Sequence, residues 1–325
     1  KANNLGTGLI GVKVIDNSLF SSVTNTGTRV ITKYSTVTFK DNDQTKDIES
    51  YSGELDRQTI DVTSADNRGN AIHQTVLSEG YVDGGWTFSG MQDITNDSID
   101  IYDQTGHSIV KSYSSSTISS DTFTSLQDIN YTRYDRFGNV EEENIKTYTD
   151  ESAAVLKDYK EVVNDYNNSD GSDNPLARKL GNARVSTVSR WTSASKLNSE
   201  WIDQTTTTTT SFDSLGRALT QEQDMSVYDG TSLKAASHNE ITNSGYDNRG
   251  DAATQEVTSY KVVAGLNVLI DYKVMTNRTY DASHNVINQM VLTYSDTDTI
   301  EPPLDVEEIR SIGMNSSGMA LKQVI

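Results

Sequence analysis

Cysteine is absent from the 325 residues, so neither a disulfide framework nor a thiolate metal site can form. Proline is scarce, with three residues in all, and Pro302-Pro303 mark one loop. The hydrophobic fraction is 34% even with tyrosine counted, below the roughly 45–50% usual in globular chains, which excludes a thick core. No apolar run approaches the roughly 20 residues that cross a bilayer. The first residues lack the basic and apolar regions of a signal peptide, so a mature product or a segment of a longer protein is expected. Positive charge is also short, with 27 Lys and Arg against 46 Asp and Glu for a net charge of -19. Such a surface repels nucleic acid and anionic lipid, so no nucleic-acid partner and no membrane insertion are expected. Acidity without cysteine points to a secreted or cell-surface protein, of the bacterial kind.

Signatures of enzymes are missing too. There is no Walker phosphate loop, no G-x-G-x-x-G after a strand, no H-E-x-x-H and no G-x-S-x-G. The four histidines, His73, His107, His238 and His284, share no metal-ligand spacing. A glycosidase would need two facing carboxylates in a cleft, and an acidic chain offers such pairs everywhere. The expectation is a non-enzyme with no catalytic residues and no required cofactor.

What is present is a repeated turn. Tyr134-Asp135-Arg136-Phe137-Gly138, Phe212-Asp213-Ser214-Leu215-Gly216, Tyr246-Asp247-Asn248-Arg249-Gly250 and Tyr280-Asp281-Ala282-Ser283-His284 share an aromatic, an Asp, two free positions and a Gly or its substitute. Tyr102-Asp103-Gln104-Thr105-Gly106 is read as another copy, and Asp66 to Gly69 and Asn315 to Gly318 as degenerate ones. Asp accepts the backbone N–H two residues on, and Gly supplies the left-handed residue that returns the chain into a second strand. The intervals from Asp213 to Asp247, Asp281 and Asn315 are each 34 residues.

The match of 155–160 to 268–273 predicts a further turn from Asn168 to Gly171, followed by an insertion at about 172–191. The single array over 1–325 then has turns at 24–27, 66–69, 103–106, 135–138, 168–171, 213–216, 247–250, 281–284 and 315–318. A period of this size means stacked supersecondary units. The fold class is therefore all-β, an elongated array of antiparallel β-hairpins.

Two further columns keep this register. Asp56, Asp93, Asp158, Asp203, Asp271 and Asp305 stand ten residues before a turn. Gln74, Lys111, Glu143, Gln221, Gln255, Gln289 and Gln323 stand eight after it, and their amides suit hydrogen-bonded ladders between neighbouring strands. Val286, Met290, Leu292 and Tyr294 share a strand face, yet Glu256 and Thr258 replace two of them in the preceding repeat, so alternation does not select the buried face. Glu151 to Tyr166 has helical spacing of apolar residues, but its match to the 268–273 strand favours a strand.

Stacked turn aspartates could align for Ca²⁺, as could the oxygen-rich loops holding Asp165, Asn167, Ser169, Asp296 and Asp298. Capping of each turn by its own Asp is the simpler reading. Trp86, Trp191 and Trp201 suit packing more than sugar stacking.

At Phe212-Asp213-Ser214-Leu215-Gly216-Arg217 the chain resembles the YD-repeat, or Rhs, family, whose tandem hairpins coil into spiral sheets. The resemblance runs from about Glu54 to the end. It implies an extracellular scaffold, as in bacterial toxin shells, wall-associated proteins and animal adhesion receptors. The expected function is a structural segment or subunit of an extracellular fibre or large surface protein. A shell segment enclosing a toxin and a carbohydrate-binding adhesin are the alternatives. The expected partners are further copies or further repeats joined through edge strands, or a glycan.

Overall fold

The computed structural model describes residues 12–39, 48–82, 84–247, 250–280, 284–297, 299, 301–314 and 320–325. Eighteen strands dominate these residues. They are β1 (Val12–Ser21), β2 (Thr26–Phe39), β3 (Ile48–Ala65), β4 (Ala71–Val82), β5 (Gly85–Asp97) and β6 (His107–Tyr113). Then come β7 (Phe123–Tyr134), β8 (Val140–Tyr148), β9 (Leu156–Asp165), β10 (Val185–Trp191), β11 (Trp201–Phe212) and β12 (Ala218–Tyr228). The last are β13 (Leu233–Tyr246), β14 (Ala252–Val263), β15 (Leu266–Tyr280), β16 (Val286–Tyr294), β17 (Asp305–Met314) and β18 (Ala320–Val324).

Each strand pairs antiparallel with the next, from β1 through β18, in one open meander. Sustained contacts run between sequential strands, so among the described residues the sheet is a single layer with no second sheet packed on it. Its accessible surface, 18228 Å², far exceeds the about 13,000 Å² expected of a compact monomer of this mass.

With no second layer, side chains are shielded by their neighbours across the strands. Cross-strand pairs form an aliphatic stripe along one face: Ile60–Val76, Ile94–Val110, Ile129–Ile145, Val162–Val188, Ile241–Val257 and Met275–Val291. Thr207–Gln223 is the one polar pair in this series. Ile129 and Val291 are buried and the other aliphatic members half-buried. Alternation left this face undecided, because the residues it followed, Val286, Met290, Leu292 and Tyr294, lie on the opposite one.

Aromatic pairs close hairpins at the other end of the sheet: Tyr34–Tyr51, Tyr81–Trp86, Tyr113–Phe123 and Trp191–Trp201, with ring centroids 4.5, 5.1, 6.1 and 4.2 Å apart. Such pairs add to the stability of a ladder beyond the area they bury.

Residues 156–165 form β9, as the internal match favoured over the helical spacing. Asp150 caps no helix there. Its carboxylate accepts N–H bonds from Ser152, Ala154 and Val155 and so shapes a turn. The insertion differs in extent from 172–191. A short helix, α1 (Pro175–Leu180), and its flanks bridge β9 and β10, whereas Val185–Trp191 is a regular strand paired on both sides.

Truncating the stripe tests its role. Ile129→Ala removes a buried side chain facing Ile145 and should cost about 3 kcal/mol in chemical denaturation, against under about 1 kcal/mol for exposed Ile101→Ala.

Candidate functional site

The described repeat turns fall at one end of the sheet, and five of them share one geometry. In the loops starting at Asp66, Asp135, Asn168, Asp213 and Asp247, the first N–H donates to the carbonyl four residues on at 2.9 Å. The N–H of Gly69, Gly138, Gly171, Gly216 or Gly250 returns to the first carbonyl at 2.9–3.2 Å. One oxygen of Asp66, Asp135 and Asp213 accepts two loop N–H groups at 2.8–2.9 Å. Gly216 shows why glycine stands there: its φ is +81°, and a Cβ would lie 2.1 Å from Asn182 Nδ2.

Two turns depart from the sequence register. In the third, Asp100 is the capping residue: it accepts from Tyr102 and Gln104 N–H at 2.8 and 3.0 Å. Asp103 occupies the glycine position with φ +63°, and Gly106 lies outside the loop. A short polar side chain tolerates that conformation, which let two overlapping motifs compete. Asp93 and Lys111 therefore leave their columns and pair with each other on the opposite face. The first turn is 22–25, not 24–27, since Thr26 and Gly27 already pair with Ser21 and Phe20. Asp281, Asn315, Gly318 and Asp298 lie outside the described residues. His284 has φ +64°, as the glycine position demands, and its Nδ1 lies 2.7 Å from Asp251 Oδ1.

The tyrosine before the turn has a function the sequence reading missed. The hydroxyls of Tyr134, Tyr166 and Tyr280 donate to the carbonyls of Thr105, Val140 and Ala252 at 2.7, 3.3 and 2.8 Å, and Tyr246 donates to Ala218. Val140, Ala218 and Ala252 open the outgoing strand of the preceding hairpin, beyond its last ladder pair with the next one, and Thr105 stands two residues before β6. Asn96, Asn164 and Asn243 donate to Ala71, Val140 and Ala218 in the same way, at 3.0–3.3 Å. Turn to turn, Arg68 reaches Asp103 at 3.0 Å, Arg217 reaches the Asp247 carbonyl at 3.3 Å, and Arg178 reaches Asp135 at 3.1 Å.

The Gln column does not form an amide ladder, because its members sit on every second strand, about 9.6 Å apart. Gln221, Gln255 and Gln323 donate instead to Thr209, Asn243 and Ser311 on the strand between, at 3.3, 2.9 and 3.3 Å. The Asp column holds protein cations. Asp56 and Asp271 lie 3.1 Å from Lys33 and Lys273, and Asp203 accepts Arg190 Nε at 2.7 Å.

Among the described residues no three carboxylates or histidines converge as metal ligands. Asp165 lies 3.4 Å from Arg184, Asn167 accepts Arg178 at 3.0 Å, Ser169 is exposed, and Asp296 accepts the hydroxyl of Thr297 at 3.3 Å. Arginines thus stand where the loop at 165–173 was expected to offer oxygens to calcium. Trp191 is buried in packing, and Trp86 lies under the Arg57 guanidinium at 4.4 Å.

A groove of about 870 Å³ opens between the third and fourth turns, lined by Tyr102 to Thr105 and Tyr134 to Gly138. Tyr102 and Phe137 occupy equivalent turn positions at its mouth and are 75% and 47% exposed.

These bonds set the response to pH. The side chain of Asn70 holds the Asp66 carboxyl at about 2, and Ser152 and Thr231 do the same for Asp150 and Asp229. Their contribution is whole above the unfolded value of 3.8 and lost as pH falls toward about 2. The Asp97 carboxylate raises His107 above 6.5, so that contribution is whole below 6.5 and lost as pH rises through the raised value. Melting temperature should fall at both limits, and His107→Asn should remove only the upper fall. No protein-family model matches the chain, and no curated protein matches it.

Proposed function

We propose that this chain is a structural scaffold: a β-repeat segment or subunit of an extracellular or cell-surface fibre or large surface protein. The observation that carries this reading is the single-layer ladder of eighteen sequential strands, with its turns bound to one another along one end. Force along such a sheet is shared by many laddered hydrogen bonds, while the connections at the opposite end vary freely in length. The outermost strands, β1 and β18, have one partner each among the described residues and expose Leu19 and Val324. Unpaired strand edges recruit further strands, from another copy or from further repeats.

The groove at Tyr102 and Phe137 favours a second role, display of a glycan-binding surface on this scaffold. Exposed rings stack on sugar faces, and Asp103, Gln104 and Arg136 offer hydrogen bonds beside them.

Ultracentrifugation and electron microscopy should find extended particles that join end to end as concentration rises. Leu19→Lys with Val324→Lys should abolish joining without altering the circular dichroism of the monomer. Compact globular monomers would sink the scaffold reading. On a glycan array, binding that survives Tyr102→Ala with Phe137→Ala would remove the groove from the second role.

A further inference from the structure

Asn144 on β8, Glu161 on β9 and Lys196 in the connection between β10 and β11 meet on the face opposite the aliphatic stripe. Asn144 and Glu161 are directly paired across the ladder. Lys196 Nζ forms an ion pair with Glu161 and lies 3.4 Å from Asn144 Oδ1. The Tyr159 hydroxyl donates to that same oxygen at 2.6 Å. An ammonium approaching the carboxamide requires an acceptor, which assigns this atom as oxygen and places the amine beside the carboxamide.

The surroundings are aromatic. Lys196 Nζ lies 5.2 and 5.5 Å from the ring centroids of Tyr159 and Trp191, both buried, and Trp201 packs on Trp191 at 4.2 Å. Lys196 is held in the left-handed region, φ +52°, a conformation that costs energy in a non-glycine residue. Glu200 pins the loop by accepting the Leu197 N–H at 3.0 Å and the Ser195 hydroxyl at 2.6 Å. A simple surface ion pair needs neither the carboxamide nor the buried rings.

We propose that Lys196 and Asn144 form an intramolecular isopeptide bond, with Glu161 carrying the protons. Glu161, ion-paired with the Lys196 ammonium, takes a proton from it as general base. The freed amine attacks Asn144 Cγ, and the carbonyl electrons move to Oδ1, where the Tyr159 hydroxyl stabilises them. Glu161 returns the proton to Nδ2. The Cγ–Nδ2 bond breaks, ammonia leaves, and the remaining amine proton departs with it. An ammonium side chain and a carboxamide thus become a secondary amide and an ammonium ion, with no oxidant or cofactor. The bond ties β8 to the β10–β11 connection across β9, as a covalent staple in a sheet that has no second layer.

The intact mass of the folded chain decides. The expected value is one ammonia below the sequence mass, and trypsin should release a branched peptide joining 137–146 to 191–217. Lys196→Arg and Glu161→Gln should each restore the full mass, and Lys196→Arg keeps the cation so that circular dichroism can verify folding. Full mass in the unaltered chain after prolonged incubation at neutral pH would overturn the proposal. So would ammonia loss persisting in Lys196→Arg, since Asn cyclisation would then be its source. Either result leaves the scaffold reading standing, and a compact particle would sink that reading without touching the bond.

Discussion

Lateral hydrogen bonding between sequential strands is the constraint on which everything else rests. A sheet usually gains its stability by burying one face against another layer. Here there is none, and each strand must be held by its two neighbours. The chain meets that demand three times over. The aliphatic stripe shields one row of side chains between adjacent strands, the aromatic pairs close hairpins at one end, and the aspartate loops close them at the other.

The aspartate loops also explain why an aromatic precedes the Asp. The ladder between one hairpin and the next stops short of the turn, leaving a strand-opening carbonyl without a backbone donor. Tyr246 and Tyr280 reach across to supply it, and where no tyrosine is suitably placed Asn96 does so alone. Hairpins are thereby joined at their tips as well as along their strands. Arg68, Arg178 and Arg217 extend this binding between loops.

The all-β class and the turn period were legible because a tight loop imposes residue types locally: Asp to cap, Gly for positive φ. The same local logic failed at Tyr102 to Gly106. There Asp100 and Asp103 both satisfy a turn, and only the position of Asn96, Ile94 and Val110 relative to the ladder decides between them. The stripe was readable in principle, since its members stand six residues before the capping residue and, except for Val188 beyond the insertion, ten after it. Its signal was diluted because single-layer faces are half-exposed and tolerate Thr207 and Gln223 in the same row. The cations that pair with Asp56 and Asp203, Lys33 and Arg190, were not legible because they come from the neighbouring strand.

By itself, the sequence determined that these residues form hairpins, roughly where each one turns, and that no thick interior could be built. Those outcomes depend on backbone preferences within a few residues and on composition. Tertiary structure decided which face carries the stripe, which aspartate caps the third turn, and that Asn144, Glu161 and Lys196 meet over buried rings. Each of these depends on register between strands, and a shift of one residue would send every side chain to the opposite face.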